Sequence, residues 1–403
     1  MSKITVRRFS LYKILFISMI TDPIFIIYAQ DVGLGIEQIF MLLSVQKIVA
    51  LLFEIPTGML ADVQGPKYSL IYGVGSFALA NVIYIIFSNQ AGFIVASVLI
   101  GLYKNFISGA ETSYLYLALK ESKQVEEFSR INGFLNSLNL IITAVVTVGV
   151  GYIYHLNRIL PFILAVLSSV TGLIILLNLK NLMEENNQIK DVRRQYQKYL
   201  MTIKEGFSEI GSKKSLKWFI SYSSIMSFML VGLLSTYQIY FKDIGIDVKY
   251  FGWLYAVFYL TSSLFSKYAY LFSKKNNQYL ICFAMLIILG FIPLSMATGL
   301  KMLLVVVLIP RAIIGVYPTI IHQFINKEIN KNRATILSFR SFSMQVPQIL
   351  LLPLVGKLLG SSLDLVYYIY FALMISSSIA LYGYYKMNNL KECSIIKNES
   401  VLL

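Results

Sequence analysis

EIPTGMLADVQGPK, residues Glu54 to Lys67, places acidic, glycine and proline residues between two long apolar runs. Gly and Pro are the strongest local punctuators of a chain, so the stretch predicts a tight turn joining two membrane helices. The composition agrees: 57% of residues are hydrophobic and 14% charged, against about 25% charged in ordinary soluble domains. Apolar runs of about 20 residues cross a bilayer as helices, and only helices or closed barrels satisfy their backbone in lipid. The runs here are too long for barrel strands, so the predicted fold class is all-α integral membrane.

Working outward from that turn, twelve spans are predicted at 12–30, 37–60, 68–88, 92–118, 131–154, 159–179, 216–240, 250–272, 279–298, 302–325, 334–357 and 365–386. One long polar interruption, 180–217, divides them six and six. The expected organisation is an N-terminal half at 1–180, a linker at 181–215, a C-terminal half at 216–387 and a tail at 388–403. In the linker, Tyr196, Tyr199, Leu200, Ile203, Phe207 and Ile210 stand at helical spacing among basic residues, the pattern of an amphipathic helix on a membrane surface.

Lys and Arg concentrate on the cytoplasmic side of membrane proteins. With the N-terminus inside, that side collects Lys3, Arg7, Arg8, Lys67, Lys120, Lys123, Arg130, Arg333 and the basic linker, while the outer loops keep Arg158, Lys242, Lys249 and Lys301. This predicts a bacterial inner-membrane protein with both termini cytoplasmic. It also accounts for most of the +15 net charge, so a nucleic-acid partner is not expected. Cys282 lies in a span and Cys393 in the tail, which offers no disulfide framework. No ATP-binding motif, metal cluster or nucleophile–base set is visible, so neither a cofactor nor a membrane-embedded acyltransferase activity is expected.

Ionisable groups inside a membrane mark substrate or ion pathways. They are Asp22 in span 1, Lys47 and Glu54 in span 2, Lys104 and Glu111 in span 4, Lys267 in span 8, Arg311 and His322 in span 10, and Arg340 in span 11. Spans 3, 6, 9 and 12 carry none. Lys104 and Glu111, seven residues apart, share one face of a continuous helix and so are expected to meet substrate or other helices rather than each other. Asn132, Asn136 and Asn139 form a stripe on span 5, suited to interhelical hydrogen bonds.

The Gly58 to Lys67 string resembles the loop between helices two and three of the major facilitator superfamily, Gly-x-Leu-Ala-Asp-x-x-Gly-Arg-Lys, with Pro66 in place of the Arg. Ser108-Gly109-Ala110-Glu111 with Glu127-Phe128-Ser129-Arg130, and Asn326 to Ile329 with Arg333 to Ser338, are similar to junctions of a bacterial efflux-like branch. The resemblance implies twelve helices in two six-helix halves. It also implies that helices 1, 4, 7 and 10 line a central cavity and that the charge-free helices face lipid.

The resemblance further implies a cytoplasmic gate at Glu54, Gly58, Asp62, Gly65, Lys67, Arg130 and Arg333, Lys67 being equally readable as a topogenic charge. Asp22, Glu111 and His322 are candidates for proton coupling, although Asp22 could instead be locked in an ion pair with Lys47 or Lys104. Lys104, Arg311, Lys47 and Arg340 are candidates for the substrate cavity, whose positive balance suits an anionic or zwitterionic cargo. The expected function is a proton-driven secondary transporter exporting a small molecule, an antibiotic or toxic metabolite. Alternatives are an exporter giving self-immunity to a microcin-like short peptide, and a nutrient importer.

Overall fold

A computed structural model describes residues 2–183, 210–211, 213–273, 278–297, 303–328 and 333–399. The linker helix expected between Tyr196 and Ile210 falls outside them except for Ile210 itself. Among the described residues every regular element is helical, and ten helices are long and apolar enough to cross a membrane.

The chain forms two units. The first comprises 1–192, 236–263 and 349–360. It contains α1 (Ser2–Leu15), α2 (Phe25–Asp31), α3 (Ile36–Gln64), α4 (Pro66–Ile86), α5 (Gln90–Ile107), α6 (Ala110–Glu121), α7 (Phe128–Leu156) and α8 (Leu160–Leu177). The second comprises 193–235, 264–348 and 361–403. The remaining helices are α9 (Lys214–Asp243), α10 (Phe251–Ser273), α11 (Gln278–Ala297), α12 (Leu303–Glu328), α13 (Arg333–Leu359) and α14 (Leu363–Glu399).

Apolar side chains left open to the surroundings run in stripes. On α8, Ile163, Leu167, Val170, Ile174 and Leu177 are exposed at spacings of three and four, one helix face turned toward lipid. The opposite face is packed: Phe162 lies 4.2 Å from the Tyr28 ring, and Tyr84 and Phe93 complete that aromatic cluster. In the second unit Trp218 stacks on Tyr222, meets Tyr279 and Phe283 edge-on, and donates its indole N–H to the Leu381 carbonyl at 3.0 Å.

Three sequence expectations need correction. The Glu54 to Lys67 turn is mostly helix: α3 continues through Pro56 to Gln64, and the reversal takes the single residue Gly65 before Pro66 opens α4. The Thr57 hydroxyl donates to the Phe53 carbonyl at 2.7 Å, one turn back along the helix that continues past the proline. Span 1 is not one helix; α1 stops at Leu15 and α2 starts only at Phe25. Span 4 breaks at Ser108-Gly109, with Gly109 at φ +79°, so Lys104 and Glu111 stand on different helices and the shared-face argument fails.

Unit 1 has two recognisable ends. At one, Gly65 turns under the segment after α8: Lys67 Nζ caps it by donating to the carbonyls of Leu177 at 2.9 Å and Leu179 at 2.6 Å. Arg8 donates to the Asn178 carbonyl and Tyr114 to that of Lys180. At the other end, Gly35 caps α3, and Asp31 accepts from the Tyr154 hydroxyl at 2.6 Å. There α10 begins against α7 so closely that a Cβ on Gly252 would lie 2.0 Å from the Thr147 carbonyl oxygen. Ser44 of α3 donates to the Ile349 carbonyl of α13 at 3.2 Å, and Tyr152 meets Tyr250 edge-on.

Gly65 and Gly58, both part of the motif, make opposite demands. Gly65 has φ +95°, and a Cβ there would lie 2.8 Å from Asn181 Oδ1; Gly58 is helical, with nothing within 4 Å of its Cβ position. Gly65→Ala is therefore expected to lower the melting temperature of the purified protein, by strain of about 1–3 kcal/mol. Gly58→Ala is expected to leave it unchanged or raise it, since Ala is the better helix former. Thermal melts of both variants check this, and equal losses would contradict it.

Candidate functional site

The site grows from the break in span 1. Between Leu15 and Phe25 the backbone leaves the helix, so several N–H and C=O groups lack intrahelical partners. Lipid offers none, and irregular backbone at that depth persists only when protein or a water-filled cavity answers it. Side chains from three other helices do so. Asn139 of α7 donates to the Lys13 carbonyl at 2.6 Å. Ser168 of α8 accepts from Ile17 N–H and donates to the Leu15 carbonyl, both at 2.9 Å.

Gln238 of α9 answers the far side of the break. Its Oε1 accepts from Ile26 N–H at 2.9 Å and Ile27 N–H at 3.3 Å, while its Nε2 donates to the Asp22 carbonyl at 2.7 Å and to the Tyr255 hydroxyl oxygen at 3.2 Å. The residue is 3% exposed, and leaving a buried polar group unpaired costs about 1–3 kcal/mol.

Asp22 projects from the break and is itself exposed, with one carboxylate oxygen accepting from the Tyr259 hydroxyl at 3.1 Å. Its charge acts on the ammonium of Lys104, which donates to Gln46 Oε1 at 2.9 Å. Lys104 in turn acts electrostatically on Lys47. Three of the sequence candidates thus form a chain of charges in a single unit, Asp22 acting on Lys104 and Lys104 on Lys47.

Glu111 has a different setting. Its carboxylate holds Lys13 Nζ at 2.5 Å and accepts from the Tyr12 hydroxyl at 3.2 Å, with Lys13 and Glu111 side chains only 13% and 22% exposed. Removing one partner of a buried pair costs roughly 3–5 kcal/mol. Tyr103, hydrogen-bonded to Ser18, feels both Glu111 and Asp22 and so links the two carboxylates.

The other candidates are spread out. Glu54 is half-buried within α3, and Asp62 is exposed near its end. Arg130 pairs with Glu127 at 3.3 Å, but the two are 85% and 48% exposed, where such pairs contribute little. Arg333 opens α13. In the second unit, Arg311 follows Pro310 in α12, His322 is exposed on the same helix, and Arg340 Nε donates to Ser223 Oγ at 3.1 Å. Gln348 donates to Ser227 Oγ at 2.8 Å.

Sequence reasoning missed Gln238, Tyr255 and Tyr259. A lone glutamine in an apolar run carries no charge, motif or period. The usable signal was complementary: Asp22-Pro23 announces a break, and the amide in span 7 is a group able to bond both its N–H and C=O ends.

A family model described as Major Facilitator Superfamily matches residues 14–352. An uncharacterised MFS-type transporter of Bacillus subtilis (strain 168), YxaM, is 23% identical over 268 residues, a match spanning 65% of this chain and 65% of that relative; the match thus covers under two thirds of the relative's length. Among solved structures, a variant of the nucleoside transporter NupG superposes with a TM-score of 0.77 at 13% identity, covering 95% of this chain and 100% of that one. A D-xylose–proton symporter gives 0.68 at 11% identity over 95% of this chain and 94% of that one. At such identities the structural likeness concerns the fold alone; the family model, which matches most of the sequence, shows that this chain belongs to the major facilitator superfamily.

Proposed function

We propose that the protein is a proton-driven secondary transporter of the bacterial inner membrane, exporting a small zwitterionic molecule, an antibiotic or toxic metabolite, by alternating access. Its halves are 1–180 and 216–387, joined by the linker 181–215; both termini, the tail 388–403 and the Gly65 end face the cytoplasm. One observation carries the reading: Asp22, exposed at the break of span 1, acts on Lys104, which stands within electrostatic reach of a second lysine, Lys47.

The charge balance narrows the cargo and couples it to protons. A substrate amine would take the place of a proton on Asp22, while its anionic group would rest on Lys104 and Lys47. Proton and substrate then compete for one carboxylate, the linkage an antiporter requires. A purely anionic substrate would do the opposite. It would bind best when Asp22 is protonated and the lysines are unopposed, so that proton and anion would travel together, inward. The same site therefore distinguishes export from import by whether the cargo carries an amine.

The gate reading rests on Gly65, Lys67 and Asp62 at the cytoplasmic end, with Lys67 gripping the segment after α8. Motion of that segment would be transmitted to the turn directly. Arg130 and Arg333 stand at corresponding starts of α7 and α13, as the repeat construction of such transporters allows.

Expression should lower accumulation of amine-bearing anionic compounds, and collapse of the proton gradient should restore it. Asp22→Asn should abolish gradient-driven export and also weaken substrate exchange in proteoliposomes, since proton and amine share that carboxylate. Accumulation that rises on expression would establish import instead, and no change for any compound in a drug and peptide panel would remove the export reading. Lys104→Gln should weaken binding of an anion-bearing cargo about ten- to hundredfold, the loss expected for one hydrogen bond to a charged group. Counterflow measured with the cargo found in the panel reads this; unchanged affinity would place the anion elsewhere.

A further inference from the structure

We infer that Gln238 is a latch: its side-chain amide ties the break in span 1 to the end of α9 and keeps the Gly35 end of the protein shut until the amide is displaced. This rests on the alternating-access reading of the same site and names a residue which that reading does not use.

Every hydrogen-bonding position of this amide is spoken for. The Oε1 atom accepts two backbone N–H groups of α2, and the Nε2 atom reaches the Asp22 carbonyl and the Tyr255 hydroxyl oxygen. One side chain therefore holds α2 and α10 to α9 at once. Tyr259 of α10 adds a second strap, to the Asp22 carboxylate rather than its backbone. Nearby, the Gly252 approach to Thr147 and the Ser44 bond to Ile349 close the same end of unit 1.

Opening that end requires α9 and α10 to withdraw from α2. The amide cannot stay bonded to both sides, and two N–H groups and a carbonyl of the break then need water or cargo. Here Gln238 differs from a packing residue, whose loss would destabilise both states alike. Losing the latch stabilises the open state relative to the closed one, because the closed state alone contains these bonds. The two straps also divide their work. Of the two straps, protonation of Asp22 weakens the Tyr259 bond to its carboxylate, whereas the Gln238 bonds meet backbone groups and a hydroxyl, so these set the resting closure independently of the coupling proton.

The test needs neither cargo nor a proton gradient, which separates its failure from failure of the export reading. Ser44→Cys, at a position 4% exposed in the seam between α3 and α13, is introduced into full-length protein carrying Cys282→Ala and Cys393→Ser. Maleimide labelling rates are then measured in nanodiscs. Gln238→Ala is expected to raise the labelling rate about tenfold or more. Gln238→Glu, which keeps the acceptor atoms but has no N–H to donate, is expected to raise it by less. Gly252→Ala, which forces α10 from α7, serves as the positive control. Rates unchanged from the parent in folded Gln238→Ala, or in Gln238→Glu should the alanine variant aggregate, overturn the latch. A lower melting temperature without faster labelling likewise overturns it, by reducing Gln238 to a structural group.

Discussion

A helix interrupted in the middle of a bilayer leaves backbone groups that lipid cannot satisfy, and the organisation of the first unit follows from how those groups are answered. Between Leu15 and Phe25 the answer comes from Asn139, Ser168 and Gln238, on three helices distant in sequence. These bonds fix where α7, α8 and the end of α9 sit around span 1. They also leave Asp22 projecting from irregular backbone rather than from a helix face, so its carboxylate is exposed while the chain on either side is buried. The break concentrates backbone polarity, a titratable group and the junction with α9 in one place.

Electrostatics then assigns different work to charges that look alike in the sequence. Glu111 is neutralised by Lys13 and hydrogen-bonded by Tyr12, an arrangement that holds α1 against α6. Asp22 has a hydroxyl partner in Tyr259 and a long-range partner in Lys104, an arrangement that a proton or an amine can alter at small structural cost. Lys67 spends its donors on two carbonyls at a helix end. It thereby satisfies groups that α8 leaves unpaired at its C-terminus as well as adding a positive charge to that side.

Much of the fold was legible because bilayer physics writes it plainly. Long apolar runs identified the class, and the Gly58 to Lys67 string with the two helix junctions pointed to the family. What stayed hidden was local backbone. Asp22-Pro23 signalled an interruption, but the sequence could not give its width, which depends on partners from other helices. Ser108-Gly109 was read as a motif when it was also a break, because a glycine's positive φ leaves no mark beyond the glycine itself. The Glu54 to Lys67 stretch was read as a turn because Pro56 and Gly58 punctuate it. The helix runs through both: α3 continues past Pro56, and Gly58 needs no special conformation. Gln238 was illegible for a simpler reason: its importance lies in what it touches.

The most direct test of this account is hydrogen–deuterium exchange at the amides of Ile17, Ile26 and Ile27 in the full-length protein in nanodiscs. The account predicts slow exchange at all three, comparable with the flanking helices, because Ser168 and Gln238 occupy the positions of the missing helical acceptors. Rapid exchange at these amides, with the flanking helices protected, would contradict it, for span 1 would then be an open gap in the bundle rather than a break held shut by its neighbours.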